Sequence, residues 1–175
     1  MLSKKMVDRI NEQINREMYS AYLYMAMSAK MNEAGYRGVA KWLMIQYHEE
    51  MFHAMKFSGY LEDQGAALEL KAIAKPEVNE TGLKELFERV LEHEKGVTAS
   101  INEIVALAIE EKDYATQGLA AWYVNEQVEE ERNASQIIQT IGLLGGNSHA
   151  VYLLNHELGE RKLSVPSDFT GMSQD

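Results

Sequence analysis

Tyr47 to Ala54 reads YHEEMFHA, and by helical spacing Glu50 falls on the stripe Ala40, Leu43, Tyr47, Glu50, Ala54, Phe57, Leu61, where hydrocarbon belongs. His53 follows three residues later and projects onto nearly the same face. The interruption recurs. Glu17 breaks the stripe Ile10, Ile14, Ala21, Tyr24, Ser28, and Glu94 breaks Leu83, Phe87, Val90, Val97, Ile101, Ala108. Gln127 and Glu130 break Leu119, Tyr123, Ala134, Ile137, Ile141. A single Glu on a helix is usually a solvated residue. Interruptions at a common level are different, because unpaired buried carboxylates cost several kcal/mol each and no Lys or Arg falls in the stripes at that level. A cation is required. Carboxylates with one imidazole are ligands for iron, manganese or zinc.

The known plan for a two-metal site in a helical bundle takes a Glu from each of two helices and a Glu-x-x-His from each of the other two. Here one metal would be held by Glu17, Glu50 and His53. The other would be held by Glu94, Glu50 and Glu130 and lacks an imidazole, since the last helix offers Gln127-x-x-Glu130. All-oxygen coordination makes that second metal easier to lose, which suits a protein that passes metal on. Glu126 and Glu129 stand beside the pair and Glu49 is next to Glu50, so that with Glu130 they form a candidate third, exit-like site.

The elements that must position these residues are helical. Helix formers dominate, the prolines are Pro76 and Pro166 alone, and the glycines punctuate. Ser3 caps a first helix to about Glu33, where AGYRG breaks it, and a second runs from about Arg37 to Gln64. GAALELKAIAKPEVNET is the one long connection. Thr81 starts a third helix to about Lys112, KDYA turns, and a fourth runs from about Ala115 to Leu144. A short fifth helix spans about 148–159, and a polar tail over 160–175 is expected to be loosely held. Helices of roughly 28 residues are about 40 Å long, and Glu17, Glu50, Glu94 and Gln127 lie near their midpoints. Antiparallel packing brings midpoints together. The expected fold is therefore all-α: an antiparallel four-helix bundle over about 3–145, with the long link returning along its length as a single crossover. The whole of 1–175 reads as one domain, a size and a 46% hydrophobic content sufficient for one core.

The formal net charge of −10 disfavours nucleic acid and anionic membrane as partners and favours cations. No apolar run is long enough to span a bilayer and the N-terminus MLSKKMVDRINEQ has no signal-peptide core, so a cytoplasmic protein is expected. With no cysteine, thiolate zinc sites and iron–sulfur clusters are excluded.

NREMYSAYLYMAM, the EExxH ending at His53, the His93-Glu94 pair and NEQVEEE from Asn125 resemble the signatures of the non-haem ferritins of bacteria and archaea over about residues 3–160. The resemblance implies a diiron ferroxidase centre of Glu17, Glu50, His53, Glu94 and Glu130 with Gln127 alongside, and a third iron site lined by Glu49, Glu126, Glu129 and Glu130. It implies that Tyr24 faces the iron pair and that Trp122 is a nearby electron donor. It further implies a hollow shell of 24 subunits in which Fe(II) is oxidised by dioxygen or hydrogen peroxide and deposited as ferric oxide. Two departures matter. Met51 occupies the position of the bacterioferritin haem ligand, yet Gln127 and Glu130 depart from that branch, so haem is not expected. Gln117 and Ala120 stand near the positions where animal ferritins carry pore carboxylates, which leaves the iron inlet open. The alternatives are a diiron oxidase or peroxidase whose metals stay fixed, and a haem-binding storage protein of bacterioferritin type.

Overall fold

The computed structural model describes residues 2–165; the part of the expected tail at 166–175 lies outside the described residues. Among the described residues the regular elements are five helices: α1 Lys4–Glu33, α2 Arg37–Asp63, α3 Leu83–Glu111, α4 Tyr114–Leu143 and α5 Ser148–Gly159. Except in α2, whose leading residue Tyr36 makes no side-chain capping bond, each start is fixed by a local side chain. Ser3 Oγ accepts from Met6 N at 3.0 Å, Asp113 Oδ1 from Thr116 N at 3.0 Å, and Asn147 Oδ1 from His149 N and Ala150 N at 3.0 and 3.2 Å. α3 begins two residues later than the sequence suggests. Gly82, not Thr81, is the residue before its first turn, and its N–H donates to Glu85 Oε2 at 3.3 Å. Gly35, at φ +87°, makes the tight turn out of α1, a conformation open to glycine and strained for other residues.

The chain divides into two compact units. The first joins Asn11–Asn79 to the described residues from Gly146 onward. Within it α1 and α2 form a hairpin across the turn at 34–36, tied by Ser28 Oγ donating to Ala40 O at 2.8 Å. The long link then runs beside α1. Asn11 Nδ2 donates to Ala67 O (3.0 Å), Lys71 Nζ pairs with Glu12 (2.6 Å), and Lys30 Nζ donates to Val78 O (2.9 Å). Eleven extended residues reach ~36 Å, and the helical stretch from Asn11 to Lys30 rises ~28 Å, so the link needs nearly its full length to return along α1. α5 packs on the first turns of α2, where Asn155 Oδ1 accepts from Gly38 N and Val39 N at 3.0 and 3.1 Å.

The second unit comprises Leu2–Ile10 and Glu80–Gly145. α3 and α4 pack against each other there. The leading residues of α1 join α3 through Ser3 Oγ to Glu111 at 2.7 Å and Arg9 Nη2 to Ser100 O at 2.8 Å, with Arg9 also paired to Glu103 at 3.0 Å. The stripe positions Leu83, Phe87, Val90, Val97, Ile101 and Ala108 are buried, as are Tyr123 and Ala134 of α4.

Candidate metal centre

The interrupting residues are buried, although Tyr47 of the α2 stripe and Leu119, Ile137 and Ile141 of the α4 stripe are only half-buried: Glu17, Glu50 and Glu94 are each 1% exposed, His53 2%, Gln127 3% and Glu130 6%. In the first unit, Glu17 of α1 meets Glu50 and His53 of α2, and one ligand atom from each lies within 4.8 Å of the others. Glu50 and His53, one turn apart, present Oε2 and Nδ1 3.8 Å from each other. Two donors on one ion at ~2.1 Å each stand at most ~4.2 Å apart, so a shift of a few tenths of an ångström would close the set on a metal. Glu17 Oε1 accepts from Gln13 Nε2 at 2.8 Å, whereas its Oε2 is buried without a hydrogen-bond partner. Burial first, and the facing Glu50 carboxylate second, raise the Glu17 pKa well above the ordinary carboxylate value. A divalent ion among these groups would offset both by pairing with the carboxylate charges. The donor set of two carboxylates and an imidazole fits iron.

In the second unit, Gln127 of α4 is turned to α3: its Nε2 donates to Glu94 Oε2 at 3.1 Å, to Glu94 O at 3.2 Å and to Thr98 Oγ1 at 3.4 Å. Thr98 Oγ1 in turn donates to Glu131 Oε1 at 2.6 Å. The amide thus holds the Glu94 carboxylate in place from one side. Of the residues assigned to a third site, Glu126 is half-buried and Glu129 exposed, the latter 3.8 Å from Arg132. Glu49 is buried, and its carboxylate is held by Arg161 and Ser164. Tyr24 is fully buried on α1, and Trp122 is half-buried with its ring edge-on to Tyr123. Met51 lines a groove of about 350 Å³ with Met18, Met25, Tyr47 and Ile73.

Three contributors escaped the sequence reading. Gln13 lies four residues before Glu17 on the same stripe, and that spacing was the available signal. Thr98 lies four residues after Glu94, a spacing that also places it on the same face. Arg161 carries no such signal, because it follows the last helix in what reads as tail.

An all-α chain that buries two carboxylates and an imidazole together has the donor set of a metal-binding helical protein. Residues 7–144 match the Ferritin family, described as a ferritin-like domain, and the chain belongs to that family. It is 40% identical over 159 residues to a probable bacterial non-haem ferritin-like protein of Haemophilus influenzae, covering 91% of this chain and 96% of that one. It is 37% identical over 161 residues to the bacterial non-haem ferritin of Staphylococcus aureus, covering 92% and 97%. Among solved structures, an engineered closed form of Archaeoglobus fulgidus ferritin superposes with a TM-score of 0.92 at 40% identity, covering 94% of this chain and 100% of that one. The open-pore ferritin of the same archaeon gives 0.90 at 40% identity, covering 92% and 98%. The ferritin-like all-α fold class with a short fifth helix is thus the observed one. Among the described residues no helix is long and apolar enough to cross a membrane.

Proposed function

We propose that this chain is a cytoplasmic iron-storage ferroxidase: it binds Fe(II) in pairs, oxidises it and deposits the Fe(III) as hydrated oxide inside a hollow homo-oligomer of 24 subunits. The observation that carries the reading is the convergence of Glu17, Glu50 and His53, buried together with a carboxylate oxygen that no donor satisfies. Membership of the ferritin family, matched over residues 7–144, supports treating the chain as one ferritin-like domain and adding Glu94 and Glu130 as ligands of the second iron. In this assignment Glu50 is shared by both irons and His53 binds one of them. Gln127 is the hydrogen-bonding support of Glu94 rather than a strong ligand, as an amide donating its N–H to the carboxylate would be.

Two Fe(II) ions give up one electron each, which matches the two electrons that dioxygen accepts on reduction to hydrogen peroxide, or that peroxide accepts on reduction to water. The chain's part is to hold the pair close enough to react as one centre and to release the oxidised ions through weaker oxygen donors. Tyr24 lies buried about two turns beyond Glu17 on the same face, placed as the family's tyrosine near the iron pair would be. Glu126, Glu129 and Glu130, with Glu49, are the proposed path of a third ion.

The test is a stepwise aerobic Fe(II) titration of the metal-free protein, with absorbance followed at each addition and the particle sized before and after. Fast oxidation saturating at two or three irons per chain, followed by slow mineral growth in a large particle of unchanged size, is the expected result. Saturation without mineral growth in a small oligomer would overturn storage and leave a fixed diiron oxidase or peroxidase.

A further inference from the structure

Glu49 and Glu50 are neighbours with different fates. Glu50 joins Glu17 and His53, whereas the Glu49 carboxylate, also buried at 6% exposure, is met by a guanidinium. Arg161 Nη2 donates to Glu49 Oε2 at 2.7 Å, and Ser164 Oγ donates to Glu49 Oε1 at 3.0 Å. The second guanidinium nitrogen, Nη1, donates to Gln46 Oε1, and Cζ sits 4.7 Å from the centre of the Trp42 ring. A carboxylate, an amide carbonyl and an indole face thus enclose one cation.

When residues 161–165 are displaced, what remains is a pair of hard oxygen donors, the Glu49 carboxylate and Gln46 Oε1. Such donors suit a divalent cation, and Gln46 and Glu49 are held one turn apart on α2 whether or not the cation is there. Two cations cannot share the space. Arg161 and Ser164 both belong to the short non-helical stretch 161–165. α5 itself is anchored independently, through Asn155 to the first turn of α2 and through Lys41 Nζ to Gly159 O at 2.5 Å. Release of Arg161 therefore does not require α5 to undock.

We propose that Arg161 sets how many metal ions the chain takes: its guanidinium fills, as an internal cation, the oxygen-donor site at Gln46 and Glu49, and a metal ion reaches Glu49 only when residues 161–165 let go. This deepens the third-site reading of Glu49 and rests on it. Arg161 is a positioning residue in this account, because it controls access to Glu49 and touches no reacting atom. The third site is then closed at rest and opened by displacement of the segment.

The test is an anaerobic Co²⁺ titration of the full-length, metal-free protein, comparing wild type, Arg161→Ala, Arg161→Lys and Arg161→Ala/Glu49→Gln by calorimetry and cobalt absorption. Arg161→Ala is expected to take one ion per chain more than wild type, Arg161→Lys to keep the wild-type number, and the double variant to lose the extra ion. A merely structural loosening of the segment would produce no Glu49-dependent ion. Equal numbers in wild type and Arg161→Ala would overturn the proposal, as would an extra ion that persists in the double variant. Should Arg161→Ala fail to fold, Arg161→Gln, which keeps the stem and removes the charge, serves in its place with the same two outcomes. The wild-type number separately tests the paired centre: no Co²⁺ bound by wild type but one by Arg161→Ala would sink the iron-pair assignment and leave the role of Arg161 standing.

Discussion

His53 Nδ1 stands 3.8 Å from Glu50 Oε2, one helical turn apart and both all but fully buried. That separation is too long for a hydrogen bond and suits two donors flanking one ion. His53→Ala is therefore expected to weaken divalent-metal binding by more than about 100-fold, since even partners outside the coordination sphere are worth about 10–100-fold. Co²⁺ titration measures this directly, and an unchanged affinity would remove His53 from the ligand set.

Glu17 supplies a pH signature. Its pKa is raised in the folded chain, so between the ordinary value of 4.5 and that raised value the folded state binds more protons than the unfolded one. Stability of the metal-free protein must then fall as pH rises through this window, by up to about 1.4 kcal/mol per pH unit for one group. Glu17→Gln is expected to abolish that fall and to stabilise the metal-free chain at pH 7 by about 1–3 kcal/mol, because an amide can face Glu50 without charge repulsion. Urea unfolding at several pH values checks both. The same variant should lose metal binding.

His93 works in the opposite direction. Burial, and then the nearby Arg89 charge, lower its pKa from 6.5 to about 4, so the unfolded chain binds the extra proton between those values. Stability is lost as pH falls through the window, by up to about 3 kcal/mol at its acid end. His93→Gln should flatten this acid limb and leave the limb set by Glu17 in place. Thermal melts from pH 4 to 7 would show it, and an unchanged acid limb would place the titrating group elsewhere.

What was legible in the sequence is what periodicity encodes. Ile10, Ile14, Ala21 and Tyr24 repeat at helical spacing, so Glu17 stood out against them, and it is buried with them. The long link could be seen as a return path because Pro76 and its neighbours form no periodic face and 17 residues are more than a turn requires. The start of α3 was misplaced because Thr81 is the better capping residue by type, while Glu85 reaches back to the Gly82 N–H. The stretch after α5 was opaque for a different reason. Arg161 acts through a contact with Glu49 that is 112 residues away in the chain, and no local pattern encodes a contact of that range.

Gly38 is where α2 and α5 touch backbone to backbone. A Cβ built there would lie 1.6 Å from Asn155 O and 3.1 Å from Gly159 N, and backbone atoms cannot move aside as a flexible side chain can. Gly38→Ala should therefore displace α5, lower stability by about 1–3 kcal/mol, and speed tryptic cleavage at Arg161 and Lys162. Unaltered cleavage with an unaltered melting temperature would mean that α5 does not rest on α2 in solution.

Gln127 raises the question of why an amide stands where the two-metal plan has a carboxylate. Its Nε2 donates to Glu94 Oε2, so in the metal-free chain Glu94 keeps a hydrogen-bond donor. Gln127→Glu would replace that donor with a second carboxylate about 3 Å from the first, and like charges so close cannot both ionise without cost. The variant is expected to be less stable than wild type by about 1–3 kcal/mol at pH 7 without metal, and to recover on lowering the pH or adding Co²⁺. The added carboxylate should also hold the second iron more tightly, so oxidised iron should leave the centre more slowly and mineral growth should lag behind the fast oxidation. Unfolding with and without Co²⁺, followed by the Fe(II) titration, separates these effects. Loss of stability with no recovery by metal would mean that Glu94 and Gln127 form a structural hydrogen bond and no part of a metal site.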